Sequence, residues 1–229
     1  SMLWTYSFMK KVARPSRLVQ NPNQSKQPMR FQVEVNRQVR EVELTFGSQR
    51  DLAALTRGSS SSNLAENPHL RDALEFSRLA AKRWRYYRRA DLAVTSLSAL
   101  RHFIRREPQG EFGMMLLARP TWRASHSVLG FCFVRRSWCH HLIVDFLGTH
   151  PRVLGNQREQ IRGVGSGILY QLVELAATLS IPCIWGEATA NSVTFYRRVT
   201  GTNEILDHFI LRRPLMEAVR RHYEKLHNR

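Results

Sequence analysis

The sequence predicts an α+β fold, in which a mixed, mostly antiparallel central sheet is flanked by helices and an added helix ends the chain. Three observations predict it. Apolar and polar residues alternate early in the chain, as they do in half-buried strands. Short apolar runs separated by turn-forming or charged residues fill the middle, and helical spacing interrupted by single strands follows. Elements in this order pack as a sheet against helices.

One or two strands and two helices are predicted for the first half of the chain. The stretch MRFQVEVNRQVREVELTF alternates apolar and polar residues, with Asn36 and Arg37 at a turn. Residues 56–68 have the composition of a loop and mark a flexible boundary. Apolar residues recur at helical spacing over residues 70–87, and a second helix is predicted over about residues 91–106.

Three successive strands, predicted to form an antiparallel meander, begin the second half. They are FGMMLLARP, HSVLGFCFV and HHLIVDFL. GVGSGILYQLVELAATLS then predicts a helix with a broad apolar face, followed by the strand IPCIWGEA, the short helix NSVTFYRRV and the strand HFILRRP. An amphipathic helix opened by Pro214 ends the chain.

The chain is predicted to form a single domain, residues 29–229, after a basic and loosely ordered arm at residues 1–28. No apolar run approaches the length that crosses a bilayer, and no signal-peptide pattern opens the sequence, so a cytoplasmic location is predicted. The three cysteines, Cys132, Cys139 and Cys183, lie in apolar strand-like stretches, which favours buried, reduced thiols.

Basic residues are in large excess. Lys and Arg number 35 against 18 Asp and Glu, which gives a formal net charge of +17, so the surface should attract polyanions such as RNA or an acidic protein. The stretch KRWRYYRRA, residues 82–90, interleaves basic and aromatic residues as nucleic-acid-binding surfaces do. Trp84 and Tyr87 also fit the apolar stripe of a helix, with the arginines on its solvated face. Both interpretations stay open.

The segment QIRGVGSGIL, residues 160–169, places three glycines in five positions before an apolar helix. Such a turn leaves backbone N–H groups free for an anion, or it allows close packing of a strand and a helix. A P-loop requires Gly-Lys-Ser/Thr, and no such string occurs. A dinucleotide loop opens the first strand–helix unit of a parallel sheet, whereas this segment follows three predicted strands.

This segment resembles the acyl-CoA loop of the GNAT superfamily of N-acetyltransferases, Gln/Arg-x-x-Gly-x-Gly/Ala, with Gln160, Gly163 and Gly165 at the three specified positions. LIVDFLGTHP resembles the family's central strand and its exit, and ANSVTFYRRVTG resembles a downstream signature built on Asn, Phe-Tyr and Gly. The likeness covers about residues 110–213. It departs from the family at TGT, where Gly-Phe is usual, and in the long loop GTHPRVLGNQREQ.

The resemblance implies that the chain binds acetyl-CoA or another short acyl-CoA. Backbone amides of the glycine segment would hold the CoA pyrophosphate, and a backbone N–H of the splayed central strand would polarise the thioester carbonyl. Asn191 also fits a cap of the short helix. The implied cofactor-binding residues are Leu147, Gly148, Thr149, Gln160, Ile161, Arg162, Gly163, Val164, Gly165, Ser166 and Asn191.

Tyr196 matches the tyrosine that family members often use to protonate the leaving sulfur. Asp145, in the predicted central strand, and Glu187, at the end of the next strand, are candidate bases, and each also fits a structural hydrogen bond or ion pair. His150 is a further candidate. WCHH, residues 138–141, predicts no metal site, because adjacent residues of a strand point to opposite faces and no Cys-x-x-Cys pair occurs.

The resemblance therefore implies an N-acetyltransferase that moves an acetyl group from acetyl-CoA directly to a primary amine. The basic surface would recruit the acceptor, an aminoacyl-tRNA or a protein or peptide amine. A non-catalytic GNAT-like module that binds nucleic acid or protein is the alternative. Because many family members pair through edge strands or the C-terminal helix, a homodimer is compatible with the sequence, whereas no feature indicates a membrane partner.

Overall fold

The computed structural model describes residues 28–56, 67–156 and 159–227. The strands are β1 (Met29–Val35), β2 (Gln38–Phe46), β3 (Ala93–Val94), β4 (Phe112–Pro120), β5 (Gly130–Arg136), β6 (Leu142–Thr149), β7 (Ile161–Arg162), β8 (Ile184–Glu187) and β9 (His208–Leu211). The helices are α1 (Asp51–Thr56), α2 (Pro68–Arg89), α3 (Leu97–Arg106), α4 (Pro151–Leu154), α5 (Val164–Thr178), α6 (Val193–Thr200) and α7 (Arg213–His227).

The strands form one sheet in the order β7–β1–β2–β4–β5–β6–β8–β9, with β3 beside β4. β6 with β8 and β3 with β4 are parallel pairs, and the other neighbours are antiparallel. Asn36 and Arg37 connect β1 to β2 with φ of 49° and 67°, the left-handed geometry of a two-residue hairpin turn. The predicted fold class, hairpin and meander are confirmed.

Helices cover the two faces of the sheet unequally. α5, α6 and α7 pack on one face through buried residues such as Leu172, Val199 and Val219. α1 and α2 pack on the other face, over β4, β5 and β6. The same face of β8 and β9 is more open, since Trp185 and Ile210 are 36% and 45% exposed. Access to the end of β8 is therefore possible from the α2 side of the sheet.

The structure corrects the start of the second predicted helix. Asp91 has φ of 54°, and residues 93–94 form β3 beside β4. α3 begins only after Ser96, whose hydroxyl caps the helix by accepting the Ala99 N–H. The apolar residues of β3 and of α3 together repeat at helical spacing, and this combined repeat predicted one longer helix.

The prediction of three buried cysteines is wrong for Cys139, which is exposed in the turn between β5 and β6, whereas Cys132 and Cys183 are buried. α1, α4 and β7 were not predicted, since two to six residues carry no periodic signal. The predicted arm, apart from its last residue, and residues 57–66 of the predicted boundary lie outside the described residues. None of the described helices is long and apolar enough to cross a bilayer.

Candidate active site

A gap opens in the sheet between β6 and β8. Residues 142–144 of β6 pair in parallel with residues 184–186 of β8, and β8 then ends at Glu187. β6 continues to Thr149 and stays paired with β5 on its other edge. Five residues of β6, from 145 to 149, therefore extend beyond its last pair with β8.

A β-bulge lies at the point where the gap begins. Phe133 pairs with Phe146 and Val134 pairs with Val144, so that Asp145 is the extra residue on β6. The bulge bends the strand and shifts the alternation of its backbone groups by one residue. It thus determines which N–H groups of β6 face the gap.

Two backbone N–H groups point from β6 into the gap. The His150 N–H donates to the Leu129 carbonyl at 2.8 Å, on the β5 side of the strand. Alternate residues of a strand direct their N–H groups to opposite edges, so the N–H groups of Leu147 and Thr149 point away from β5 and toward β8. They are suitable donors for a carbonyl oxygen between the two strands.

The glycine segment is fixed to the first hairpin. The Asn36 N–H donates to the Gln160 carbonyl, and the Gln160 N–H donates to Asn36 Oδ1, both at 3.0 Å. Residues 161–162 then pair with β1. These contacts set the position and direction in which α5 starts.

The first turn of α5 presents free backbone donors. Gly163, with φ of 91°, is the residue before the helix and supplies no side-chain cap. The intrahelical bonds begin with the Gly167 N–H, which donates to the Gly163 carbonyl at 2.8 Å. The N–H groups of residues 164–166 precede it and have no acceptor within the helix. This positive end of a 15-residue helix is suited to an anion.

The structure combines three features: the sheet is mostly antiparallel, two parallel central strands separate, and a glycine segment opens the next helix. The fold is GNAT-like. Neither a protein-family model nor a curated protein matches this sequence.

Solved structures of several acetyltransferases are similar to this chain. A nourseothricin acetyltransferase is 23% identical over 38% of this chain and 48% of its own, with a TM-score of 0.30. The match therefore spans about half the length of that protein. A PaiA N-acetyltransferase from Thermoplasma acidophilum, in complex with coenzyme A, is 15% identical over 74% and 96%, with a TM-score of 0.41. An apo nucleotide-linked sugar GNAT is 11% identical over 86% and 96%, with a TM-score of 0.43.

Tyr196 lies on α6 in the GNAT-like core. Its ring stacks on Phe209, with centroids 4.0 Å apart, and is 4% exposed. Burial raises the pKa of its hydroxyl, with a smaller contribution from the Cys132 thiol, so the tyrosine keeps its proton at neutral pH. Cys132 pairs with Leu147 across β5 and β6, and it belongs to the same buried cluster as Tyr196, on the α5 side of the sheet. Tyr196 therefore lies on the α5 side of the gap. No hydrogen bond to its hydroxyl comes from the described residues.

Asp145 is held in an ion pair. Arg135 donates from Nε to Oδ2 at 2.7 Å and from a terminal nitrogen to Oδ1 at 2.9 Å. The same guanidinium contacts Glu111 at 3.3 Å, and Glu111 accepts the hydroxyl of Tyr87. The bonds to Asp145 raise the pKa of Arg135, so the guanidinium stays charged. Both carboxylate oxygens of Asp145 are thus engaged on the α2 side of the sheet.

Glu187 is exposed at the end of β8. It lies on the wall of a recess of about 720 Å³ on the α2 side of the sheet, together with Trp185, Asp207, His208 and Arg212. Within the described residues its carboxylate forms no ion pair. Glu187 is thus both on the wall of this recess and the last residue of β8, next to the point where β6 and β8 separate.

Asn191 does not cap α6. The residue before that helix is Ser192, and the Asn191 side chain instead donates to Asp72 Oδ2 on α2 at 2.6 Å. The expectation of a cap is wrong, because the loop after β8 turns the asparagine toward α2. The bond ties the loop between β8 and α6 to the first turns of α2.

His150 supports the fold at the end of β6. Its Nε2 lies 3.1 Å from the Ala54 carbonyl, and its Nδ1 accepts the Arg152 N–H at 3.3 Å. A neutral ring with the proton on Nε2 satisfies both contacts, whereas a proton on Nδ1 would face the Arg152 N–H. Burial lowers the pKa of His150 below its ordinary value. Both ring nitrogens are engaged with backbone, so a catalytic proton transfer through His150 is not supported.

The stability of the protein should fall as the pH falls below about 6.5. Because the folded-state pKa of His150 is depressed, the unfolded chain binds more protons in this range, and the free energy of unfolding decreases. Urea unfolding at pH 7.5 and 5.5 measures the loss. His150→Gln should show a smaller pH dependence than the native chain, and an equal dependence would contradict this account.

Sequence reasoning missed the partners of the predicted residues. Arg135 pairs with Asp145, Asp72 accepts from Asn191, and Asn36 fixes Gln160. A turn at Asn36 was predicted, but nothing in the sequence connects it with the glycine segment. Among the described residues, no three His, Cys, Asp or Glu side chains are grouped to hold a metal ion.

Proposed function

We propose that this protein is an acyl-CoA-dependent N-acetyltransferase that transfers an acetyl group directly to a primary amine. One observation carries the proposal: the unpaired edge of β6 offers backbone donors for a carbonyl oxygen, and the uncapped first turn of α5, the next long helix in the chain, offers backbone donors for an anion. A thioester joined to a pyrophosphate requires both kinds of donor.

The β6 edge and the glycine segment would share the cofactor. The N–H groups of Leu147 and Thr149 bind along the thioester arm, and Gly148 lies between them. The helix start binds the pyrophosphate, and Arg162, which is exposed, adds positive charge. The proposed pyrophosphate-binding segment comprises Gln160, Ile161, Arg162, Gly163, Val164, Gly165 and Ser166.

The three glycines of residues 160–169 are explained by different physical constraints. Gly163 requires its positive φ. A Cβ on Gly167 would lie 2.0 Å from the Phe31 ring, so this glycine is required for packing. Gly165 has neither constraint, since a Cβ there would be 3.5 Å from Phe195, an ordinary contact. Packing and backbone conformation therefore leave room for a small side chain at position 165.

The chemistry needs a polarised carbonyl, a neutral amine and a proton for sulfur. The Leu147 N–H donates to the carbonyl oxygen. The base takes a proton from the ammonium group and so supplies the neutral amine. The amine nitrogen bonds to the acetyl carbon as the carbon–sulfur bond breaks, and the Tyr196 hydroxyl gives its proton to sulfur. The proton that then leaves the new amide nitrogen restores the tyrosine hydroxyl. Asn191, in the loop after β8, can bind the cofactor once its amide leaves Asp72.

Glu187 is the better candidate base. The Asp145 carboxylate is occupied by Arg135, whereas Glu187 is free and faces a recess large enough for a small amine. A second carboxylate in the recess, Asp207, adds attraction for an ammonium group. We therefore place the acceptor on the α2 side of the sheet.

Glu187→Gln should lower kcat/KM at pH 7 by about 10- to 100-fold, because the base that deprotonates the ammonium is lost. The loss should shrink at higher pH, where the amine loses its proton to solvent. Asp207→Asn removes a charge from the same recess and should change kcat/KM by no more than about threefold. Equal losses in the two variants would mean that Glu187 acts only through its charge.

The activity is tested by acetyl transfer from labelled acetyl-CoA into three pools, aminoacyl-tRNA, peptides and polyamines, side by side. Label in one pool that depends on Tyr196 and Glu187 supports the enzyme and identifies the acceptor class. Binding of acetyl-CoA without transfer to any pool would favour a non-catalytic GNAT-like module.

A further inference from the structure

The second half of α2 is strongly basic on its exposed side. Residues 76–90 contain six basic residues and no acidic one. We call Arg78, Lys82, Arg83, Arg85, Arg88 and Arg89 the α2 basic face. None of the six forms an ion pair with a carboxylate of the described residues. Like charges three and four residues apart repel each other along a helix, so the face lowers helix stability unless an external anion binds.

The cations are ordered along the helix. Arg78, Lys82, Arg85 and Arg89 are spaced by four, three and four residues and therefore follow one line on its surface. At 1.5 Å per residue this line is about 17 Å long. The negative end of the helix dipole accounts for Arg88 and Arg89 in the last turn, but not for the cations two turns earlier.

An exposed aromatic ring stands beside this line. Trp84 and Tyr87 are buried under α2, as their place on an apolar stripe predicted. Tyr86 instead points outward and is 63% exposed, with its ring edge-on to Tyr87 at a centroid distance of 5.6 Å. It lies next to Arg85 in the chain and within one turn of Arg89 and Lys82. An exposed ring flanked by cations is a surface on which a nucleobase can stack.

A small recess completes the face. Arg85, Arg88 and Arg89 line about 260 Å³ with Gln49 and Leu52, between the start of α1 and the end of α2. Three guanidinium groups and one amide are donors to this recess, and none of the described residues that line it is acidic. Guanidinium forks match the oxygens of phosphate. The recess has room for one phosphate group beside the exposed ring of Tyr86.

We propose that the α2 basic face binds single-stranded nucleic acid, with phosphates along the line from Arg78 to Arg89 and in the recess, and with a base stacked on Tyr86. A strand of nucleotides supplies phosphates and flat rings in alternation, which is what the face accepts. An acidic peptide would use the arginines but not the tyrosine. In a duplex, the bases are stacked on each other and unavailable to Tyr86.

Fluorescence anisotropy of labelled 20-nucleotide RNA and DNA strands, titrated with the full chain over a series of salt concentrations, tests the proposal. Arg85→Gln with Arg89→Gln should weaken binding at least 10-fold and make the slope of log K against log salt shallower by about 1.4, the loss of two phosphate contacts. Tyr86→Ala should weaken binding about 5- to 100-fold without changing that slope.

The matched control removes two exposed charges elsewhere. Arg221→Gln with Lys225→Gln on α7 should weaken binding less than threefold. An equal loss in this control would show that only the net charge attracts the strand, and would overturn the proposal. So would binding of duplex RNA, or of poly-glutamate, with the same affinity and the same dependence on Arg85 and Arg89. Unequal affinities for RNA and DNA identify the natural strand.

Discussion

Replacing Tyr196 with phenylalanine should lower kcat by about 100-fold or more and leave acetyl-CoA binding within about twofold. The change removes one oxygen from a ring that stays stacked on Phe209. Burial raises the pKa of this hydroxyl, so at neutral pH it keeps the proton that the proposed mechanism transfers to the leaving thiolate. Single-turnover rates with bound acetyl-CoA measure the chemical step directly.

Tyr223→Phe is the matched control for this substitution. Tyr223 is also a buried tyrosine, but its hydroxyl accepts the Gln32 N–H and lies between β1 and α7. Its loss should lower the free energy of unfolding by about 1 kcal/mol and leave kcat unchanged. An unchanged kcat in Tyr196→Phe would remove this residue from the mechanism, and an equal fall in both variants would indicate a structural effect.

Gly165→Asp should weaken acetyl-CoA binding by about 100-fold or more. Position 165 is the second residue of α5, where the N–H groups of the first turn are free for the pyrophosphate. A carboxylate there would occupy those donors and repel the phosphates, a clash of like charges that costs several kcal/mol. The fold should not suffer, because an acidic residue in the first turn favours the helix dipole and the Cβ has space. Isothermal calorimetry and thermal unfolding separate the two effects.

Two neighbouring substitutions give the controls. Gly165→Ala adds a Cβ without charge and should keep most of the acetyl-CoA affinity, since that Cβ would make only an ordinary contact with the Phe195 ring. Gly167→Ala drives a Cβ into the Phe31 ring and should lower the melting temperature instead. Full affinity in Gly165→Asp would place the pyrophosphate elsewhere.

Much of the fold could be predicted because it is encoded locally. The Asn36–Arg37 turn, the three strands of the meander and the start of α5 each follow from a short pattern of apolar, polar and glycine residues. The same locality explains the error in α3, where the short strand β3 and the helix after it lie next to each other and their apolar residues merge into one period.

The candidate site was predicted less completely, because its contacts join distant parts of the chain. Asn191 and Asp72 are 119 residues apart, and the fold alone brings them together. The bulge at Asp145 depends on the pairing of β5 with β6, which no pattern within β6 specifies. Residue types thus indicated the chemistry, whereas the structure was needed to separate an engaged carboxylate, Asp145, from a free one, Glu187.

The most direct test is the thermal stability of the native chain with acetyl-CoA, compared with S-acetylpantetheine, which lacks the pyrophosphate, and with ATP, which lacks the thioester arm. Acetyl-CoA at about 100 times its Kd should stabilise the fold by about 2.7 kcal/mol, well above the effect of either partial ligand at the same concentration. No stabilisation at millimolar acetyl-CoA, or equal stabilisation by ATP, would contradict the proposed acyl-CoA site.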